Sequence, residues 1–227
     1  MKTKTAILIF ARSAQQEALD KGFRNAASLF EVLNAQVLKT VKQTGLPYFL
    51  YSEEKQRGTT FGERFTHAIQ DIYNLGFDQI ISVGNDSPHL TKKHFIAAEE
   101  HLKTCPLVLG PSVDGGFHLM GLRKSHFSPV SFLKLPWQTQ GLITGIIRLV
   151  HSKKIEAAFL ETLQDLDTAS DISQLLQVKK SLPFQIQHLL KKYVQKAFQT
   201  SYYQDLFFQK VCSLIYYNKG SPVSLSI

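Results

Sequence analysis

The chain has 227 residues, of which 44% are hydrophobic, and a formal net charge of +8. This length allows one large domain or one domain with an appendage, and the hydrophobic share is sufficient for a sizeable core. No apolar run approaches the roughly 20 residues of a transmembrane helix, and the first apolar stretch ends at Arg12, too early for a secretory signal. We therefore expect a soluble, cytoplasmic protein.

The positive charge is concentrated in the last part of the chain. Residues 177–227 contain seven lysines, one aspartate and no arginine, so they carry +6 of the net charge of +8. A nearly neutral body fits an enzyme that acts on small molecules, whereas the basic tail could meet an acidic partner, a membrane surface or nucleic acid. Solvated lysines on ordinary amphipathic helices also account for this charge, and we expect no specific binding of nucleic acid.

Strands and helices alternate along the first part of the chain. Short apolar runs at residues 5–10, 48–51 and 80–83 predict strands, of which the first and the third are expected to be buried. Residues 23–41 carry apolar side chains at spacings of three and four, which predicts a helix, and residues 61–75 predict a second one. This alternation is typical of parallel strands joined by right-handed crossovers, and it indicates a layered α/β sheet.

The same pattern continues after the third strand. A helix is predicted from Thr91 to about residue 103, followed by a buried strand at residues 106–110. The next segment, residues 111–117, contains an acid followed by two glycines, which suits a backbone that approaches a ligand closely. An Asp-Gly pair also marks a tight turn between strands, with residues 117–122 returning as the second strand, and the two interpretations are compatible.

The later elements are less regular. Trp137 precedes a predicted helix at residues 141–151, and a tryptophan there either packs in the core or stacks on a ligand. Residues 154–160 fit a strand and a helix almost equally well. Amphipathic helices are predicted at about residues 185–198 and 202–217.

The tail is predicted to be a separate helical extension. We place an α/β domain at residues 1–178 and a basic, aromatic-rich helical extension at residues 179–227. The apolar faces of the extension require a partner surface, for which the body of the domain, a homodimer interface and a membrane surface are the alternatives.

Three aspartates follow predicted strands. Asp86 comes after a glycine that ends the run at residues 80–83, Asp114 follows the strand at residues 106–110, and Asp167 follows residues 154–160. Ligands bind in open α/β sheets at the carboxyl ends of the strands, although Asp is also an ordinary turn residue. Carboxylates together with substrate phosphates are the ligands that Mg²⁺ prefers, so the three acids indicate phosphate chemistry.

Several of these motifs occur in consistent order over roughly residues 5–178. They are Phe61-Gly62-Glu63-Arg64, Gly84-Asn85-Asp86-Ser87-Pro88-His89-Leu90, Gly110-Pro111, Asp114-Gly115-Gly116-Phe117, Gly121-Leu122, Pro136-Trp137-Gln138-Thr139 and Asp167-Thr168. The series resembles a bacterial transferase family known as selenodomain-associated transferase 1, within the glycosyltransferase-A superfamily. The resemblance implies a three-layer α/β/α nucleotide-diphospho-sugar transferase-like (Rossmann-like) fold with a mostly parallel sheet, here followed by the C-terminal helical extension.

The resemblance also implies roles for individual residues. Asp86 stands where the superfamily has its metal-binding aspartate, so the implied cofactor is a divalent cation, Mg²⁺ or Mn²⁺. Asp114 would be the catalytic residue that orients or deprotonates the acceptor. The residues implied to bind the substrate are Arg12, Asn85, Gly115, Gly116, Trp137 and Asp167.

The implied reaction is transfer of a glycosyl group from a nucleoside diphosphate donor, so the implied partner is a nucleotide sugar or a nucleotide. Nucleotidyl transfer on the same fold is one alternative. A degenerate binding domain without catalysis is another.

Residues 11–22 depart from the family pattern. Members usually carry a proline- and glycine-containing basic loop after the first strand, whereas here no glycine occurs before Gly22 and only Arg12 supplies a cation near the expected lysine. The segment consists largely of good helix formers, which predicts a helix instead of a loop around a diphosphate. Glu17 and Asp20 are expected to repel phosphate, so we predict weak binding of nucleotide sugars.

Overall fold

The structure is a computed structural model that describes residues 3–22, 26–177 and 182–195. The strands are β1 (Thr5–Phe10), β2 (Tyr48–Tyr51), β3 (Gln79–Val83), β4 (Leu107–Pro111), β5 (Phe117–Arg123) and β6 (Ala157–Phe159). The helices are α1 (Ala14–Lys21), α2 (Ala26–Lys42), α3 (Phe61–Asn74), α4 (Lys92–His101), α5 (Pro129–Leu133), α6 (Leu142–Ser152), α7 (Ala169–Gln177) and α8, which covers residues 184–195. A 3-10 turn at Lys124–His126 follows β5.

The six strands form one sheet in the order β2-β1-β3-β5-β4-β6. Every neighbouring pair is parallel except the two that include β5, which runs antiparallel to both β3 and β4. The fold class predicted from the alternation of elements is therefore confirmed, with a mostly parallel sheet. Residues 112–116 form the turn that returns the chain from β4 into β5, and residues 157–159 adopt the strand alternative of the ambiguous segment.

Alternate residues of the strands serve two hydrophobic cores. Ala6 and Leu8 of β1 face a core that also contains residues of α3, α5 and α6. Ile7 and Ile9 point to the opposite face, where they pack with residues of α2 and α4. Because both faces of the sheet are covered at its centre, β1, β3 and β4 are mostly apolar, which accounts for the continuous apolar runs in the sequence.

A third cluster lies beyond the sheet and joins the described part of the tail to the body. It combines α1, the first half of α2, α7 and α8; its buried members are Ala14, Ala26, Leu29, Phe30, Leu33, Leu166, Ile172, Leu175, Ile186 and Leu190. The predicted domain boundary at residues 178/179 and the predicted helix at residues 202–217 lie outside the described residues. Within the described ranges, the helices are too short or too polar to cross a bilayer.

The architecture brings the ends of several strands to one edge of the sheet. The carboxyl ends of β1, β3, β4 and β6 and the start of the antiparallel β5 all lie on the same side of the sheet, which we call the carboxyl edge. The segments at this edge carry the predicted site residues except Trp137, which lies between α5 and α6. In open α/β sheets this is the side on which ligands bind.

Candidate functional site

Asp86 lies just beyond β3, on the carboxyl edge. A side chain at Gly84 would come within 3.0 Å of the Asp86 Oδ1 atom, so the glycine leaves room for the carboxyl group. The backbone carbonyl of Asp86 accepts a hydrogen bond from the Leu166 N–H at 2.8 Å. The side chain retains 32% of its exposure, so its carboxyl group is partly accessible to a ligand.

The segment after β6 is joined to β4 beyond the end of the strand. Leu163 N–H donates to the Pro111 carbonyl at 3.0 Å, and Val113 N–H donates to the Leu163 carbonyl at 3.1 Å. This pairing carries the chain toward β3, where the Ser87 hydroxyl donates a hydrogen bond to Asp165. Asp165 and Asp167 are thereby brought to the carboxyl edge beside Asp86.

Lys21, at the last turn of α1, places its ammonium group between two of these carboxylates. Lys21 Nζ forms an ion pair with Asp167 and lies 3.8 Å from Asp86 Oδ2. The Lys21 side chain is 15% exposed, and its ammonium nitrogen lies 5.7 Å from the centre of the Phe30 ring. We call Asp86, Asp165, Asp167 and Lys21 the acidic cleft.

Burial and the charges of neighbouring side chains shift the pKa values of the residues in the acidic cleft. Burial raises the pKa of Asp86 to about 6, and the Lys21 ammonium opposes this effect only in part. Burial and the nearby Asp86 charge raise the pKa of Asp165 well above its usual range. Burial lowers the pKa of Lys21, but the carboxylates of Asp86 and Asp167 outweigh it, so the net pKa is raised and the lysine is charged.

Asp114 lies on the same edge, in the turn between β4 and β5. Its Oδ1 atom accepts the Gly116 N–H at 3.0 Å, and its charge contributes to the raised pKa of Asp165. Gly115 has a φ of +92°, and a side chain there would lie 2.5 Å from the Gln140 carbonyl oxygen. The exposed Asp114 carboxylate is therefore presented by a turn that requires glycine at its centre.

Arg12 and Asn85 make internal contacts. Arg12 forms an ion pair with Asp20, and the expected repulsion between Asp20 and phosphate stays a prediction. Asn85 is buried and donates from Nδ2 to the Asn34 Oδ1 atom at 2.7 Å, while Asn34 donates to the Arg12 carbonyl at 3.3 Å. These contacts tie the loops after β1 and β3 to α2; a role of Arg12 or Asn85 in substrate binding stays a prediction.

Trp137 packs among aromatic side chains. Its indole N–H donates to the Phe132 carbonyl at 2.7 Å, and its ring lies so close to Gly62 that a side chain there would meet it at 2.4 Å. The rings of Phe61, Phe65, Phe117 and Phe132 surround it. In this structure Trp137 therefore packs against the hydrophobic core, which is one of the two predicted alternatives. Stacking of its ring on a ligand stays a prediction.

The segment that departs from the family pattern is helical, as predicted. Ser13 caps α1 by accepting the Gln16 N–H at 3.3 Å, and its own N–H donates to the Glu53 carboxylate at 2.7 Å. These bonds with Ser13 lower the pKa of Glu53. The helix ends at Gly22, whose φ of 66° is the left-handed conformation typical of a helix C-terminus. The place of a phosphate-wrapping loop is thus taken by a capped helix.

The carboxylates of the acidic cleft are the groups from which a divalent cation would take its protein ligands. The described residues contain no ready-made group of three or more His, Cys, Asp or Glu side chains that could hold a metal ion. Asp86 and Asp165 nevertheless lie close enough for their charges to interact, and oxygen donors suit Mg²⁺ or Mn²⁺. Since Mg²⁺ commonly takes one or two carboxylates and completes its shell with water and substrate phosphates, the pair fits that arrangement.

Two members of the acidic cleft were missed from the sequence. Asp165 lies two residues before Asp167, so the Asp-Leu-Asp spacing contained a signal that both acids could serve one site. Lys21 gave no such signal, because it is one polar residue on a polar helix. Only the packing of α1 against the carboxyl edge reveals it.

Comparisons with known proteins agree with this architecture. Residues 33–139, just under half of the chain, match the model of a family described as an uncharacterized protein conserved in bacteria (DUF2064). None of the curated proteins matches the chain.

Two solved structures are similar to the chain. A protein of Desulfovibrio desulfuricans G20, provisionally described as a nucleotide-diphospho-sugar transferase, is 22% identical, with a TM-score of 0.73 over 84% of this chain and 95% of that one. The protein Rv0371c of Mycobacterium tuberculosis H37Rv is 14% identical, with a TM-score of 0.52 over 78% of this chain and 100% of that one. The chain therefore has the nucleotide-diphospho-sugar transferase fold.

Proposed function

We propose that this chain is a transferase that moves a glycosyl group from a nucleoside diphosphate donor to an acceptor, and that it is a selenodomain-associated transferase. The observation that carries the proposal is the pair Asp86 and Asp165 at the carboxyl edge of a nucleotide-diphospho-sugar transferase fold. Both carboxyl groups have raised pKa values, and such groups in a cleft are candidates for a functional site.

Each side chain of the edge has a role in this proposal. Asp86 and Asp165 would hold a divalent cation, which when bound would neutralise charge on the leaving diphosphate. Asp114, exposed on its glycine-containing turn, would orient the acceptor hydroxyl or take its proton. Asp167 would keep Lys21 charged and in place beside the donor.

A second candidate is a binding domain without catalysis. It is favoured by α1, which replaces a phosphate-wrapping loop, and by Arg12, whose charge is paired with Asp20. Backbone N–H groups turned toward a phosphate are what such a loop normally supplies. Under this alternative, nucleotide sugars bind weakly or not at all. Nucleotidyl transfer would use the same carboxylates and differs in the product.

Thermal-shift measurements with nucleoside diphosphate sugars, with and without Mn²⁺, test the proposal. A ligand at a hundredfold excess over its Kd adds about 2.7 kcal/mol of stability, which is a readily measured shift. We expect a Mn²⁺-dependent shift in the wild-type protein that is lost in Asp86→Asn and kept in Glu156→Gln, a matched change at an exposed acid beside β6. Product analysis then separates glycosyl from nucleotidyl transfer, and the absence of any shift favours the binding domain.

A further inference from the structure

Lys21 is held in the acidic cleft by α1, a helix that is bonded to another loop at its start and closed by its own cap at its end. At the start of α1, Ser13 is bonded to Glu53, and at its end the Gly22 N–H donates to the Ala18 carbonyl at 3.2 Å. The position of Lys21 therefore follows from the folding of the helix. Its ammonium group is delivered to the carboxylates by α1 as a whole.

The ammonium group has few alternatives to its present partners. The side chain is mostly buried, with the Phe30 ring on one side and the carboxylates of Asp86 and Asp167 on the other. Buried charges are costly unless they are paired, so the lysine and the carboxylates stabilise one another. Asp165 adds a third acid to the same region, where its charge interacts with that of Asp86.

We propose that Lys21 is the resident cation of the acidic cleft, and that a divalent cation binds Asp86 only by displacing the Lys21 ammonium group. The inference rests on the proposed function in that it assigns the metal to Asp86. The ammonium group and the metal ion would occupy the same carboxylate oxygens, and two cations at ion-pair distance repel each other.

An ammonium group displaced from Asp86 would keep Asp167 as a partner and could pair with one further anion. A diphosphate that arrives with the metal supplies one, since the flexible lysine side chain can redirect its donors by rotation. Metal and diphosphate are then expected to bind together more tightly than the metal alone. The helix α1 would thus contact the diphosphate through the Lys21 ammonium group, whereas a phosphate-wrapping loop would contact it through backbone N–H groups.

Titration of Mn²⁺ followed by electron paramagnetic resonance, without nucleotide, tests the competition in the full-length protein. We expect Lys21→Met to bind Mn²⁺ at least tenfold more tightly than the wild-type protein, because the competing cation is gone. Lys21→Arg keeps the positive charge and is expected to retain the wild-type affinity. Lys42→Met, at an exposed position in the last turn of α2, removes the same charge far from the cleft and is the matched control.

Thermal unfolding checks that each variant is folded, and Lys21→Gln serves as a second variant if Lys21→Met is not. The inference is overturned if the neutral variants bind Mn²⁺ no more tightly than Lys42→Met, or bind none. The metal site itself is tested separately by Asp86→Asn. If Asp86→Asn keeps the wild-type affinity for Mn²⁺ and for nucleotide sugars, the proposed function fails, whatever Lys21 does.

Discussion

The carboxyl group of Asp86 is expected to make the stability of the protein depend on pH. Its pKa is raised from 3.8 to about 6 by folding, so between these values the folded state binds more protons than the unfolded state. The free energy of unfolding therefore falls as the pH rises from about 4 to 6. Asp165 acts in the same direction, since its pKa is also raised.

We predict that, between pH 4.5 and pH 7, the free energy of unfolding falls by less in Asp86→Asn than in the wild-type protein. The asparagine cannot ionise, so the part of the slope that comes from Asp86 disappears, and the part from Asp165 shrinks because the Asp86 charge helps to raise the Asp165 pKa. Thermal unfolding of both proteins across this range measures the difference. Parallel curves would show that the surroundings of Asp86 do not disfavour its charge.

Gly115 is the second residue whose local chemistry has a measurable consequence. Gly115→Ala would need a φ of +92° and would bring the new methyl group within 2.5 Å of the Gln140 carbonyl oxygen. We expect a loss of about 1–3 kcal/mol in the free energy of unfolding, measured by urea denaturation.

The matched control for this change is Gly141→Ala. Gly141 has a φ of −85°, and a side chain there would first meet Thr139 Oγ1 at an ordinary 3.5 Å. It should therefore change stability little. Equal losses in the two variants would mean that the turn holding Asp114 has no special need for glycine.

At the level of elements, the helical conformation of α1 determines which groups of the segment after β1 can contact a ligand. The helix forms because its residues are good helix formers and because Ser13 caps it. Its formation pairs Arg12 with Asp20 and withdraws this cation from a phosphate. The ion pair is partly exposed, so breaking it should cost the fold little.

We predict that Asp20→Asn strengthens the binding of a nucleoside diphosphate in the presence of Mn²⁺ by about 3- to 10-fold. The change releases the Arg12 guanidinium group and removes one negative charge near the phosphates. Calorimetry of this variant against Glu54→Gln, which removes an exposed acid elsewhere, measures the effect. If the two variants bind equally, Arg12 does not contact the phosphates.

At the level of the whole molecule, the third hydrophobic cluster joins the described part of the tail to the α/β body. Ile186 and Leu190 of α8 are fully buried together with residues of α2 and α7. The tail helix thus buries its apolar face against the body, which is one of the alternatives that the sequence left open. A homodimer through the remaining part of the tail stays a prediction.

We predict that Leu190→Ala lowers the free energy of unfolding by about 2–5 kcal/mol, the usual cost of a large-to-small change in a core. Phe184→Ala, on the same helix but at a side chain that is 80% exposed, should change it by less than about 0.5 kcal/mol. Urea denaturation measures both. If Leu190→Ala leaves the unfolding of the body unchanged, residues 179–227 form an independent extension, as the predicted domain boundary implies.

The sequence by itself determined the architecture. Continuous apolar runs, period-3.6 patterns, glycines at turns and the alternation of strands and helices are local properties. They predicted the layered sheet, a helical segment within residues 11–22 and the position of Asp86 after β3. The same local signals left residues 154–160 ambiguous, because strand and helix have similar local preferences there.

Only the tertiary structure decided which side chains form the acidic cleft. Lys21 and Asp167 are 146 residues apart, and Ser87 and Asp165 are 78 residues apart. Ion pairs and hydrogen bonds of this kind depend on how α1 and the segment after β6 pack at the carboxyl edge, which no local pattern encodes. For the same reason the raised pKa values of Asp86 and Asp165 could not be predicted from the sequence, because they result from burial, which is a property of the whole fold.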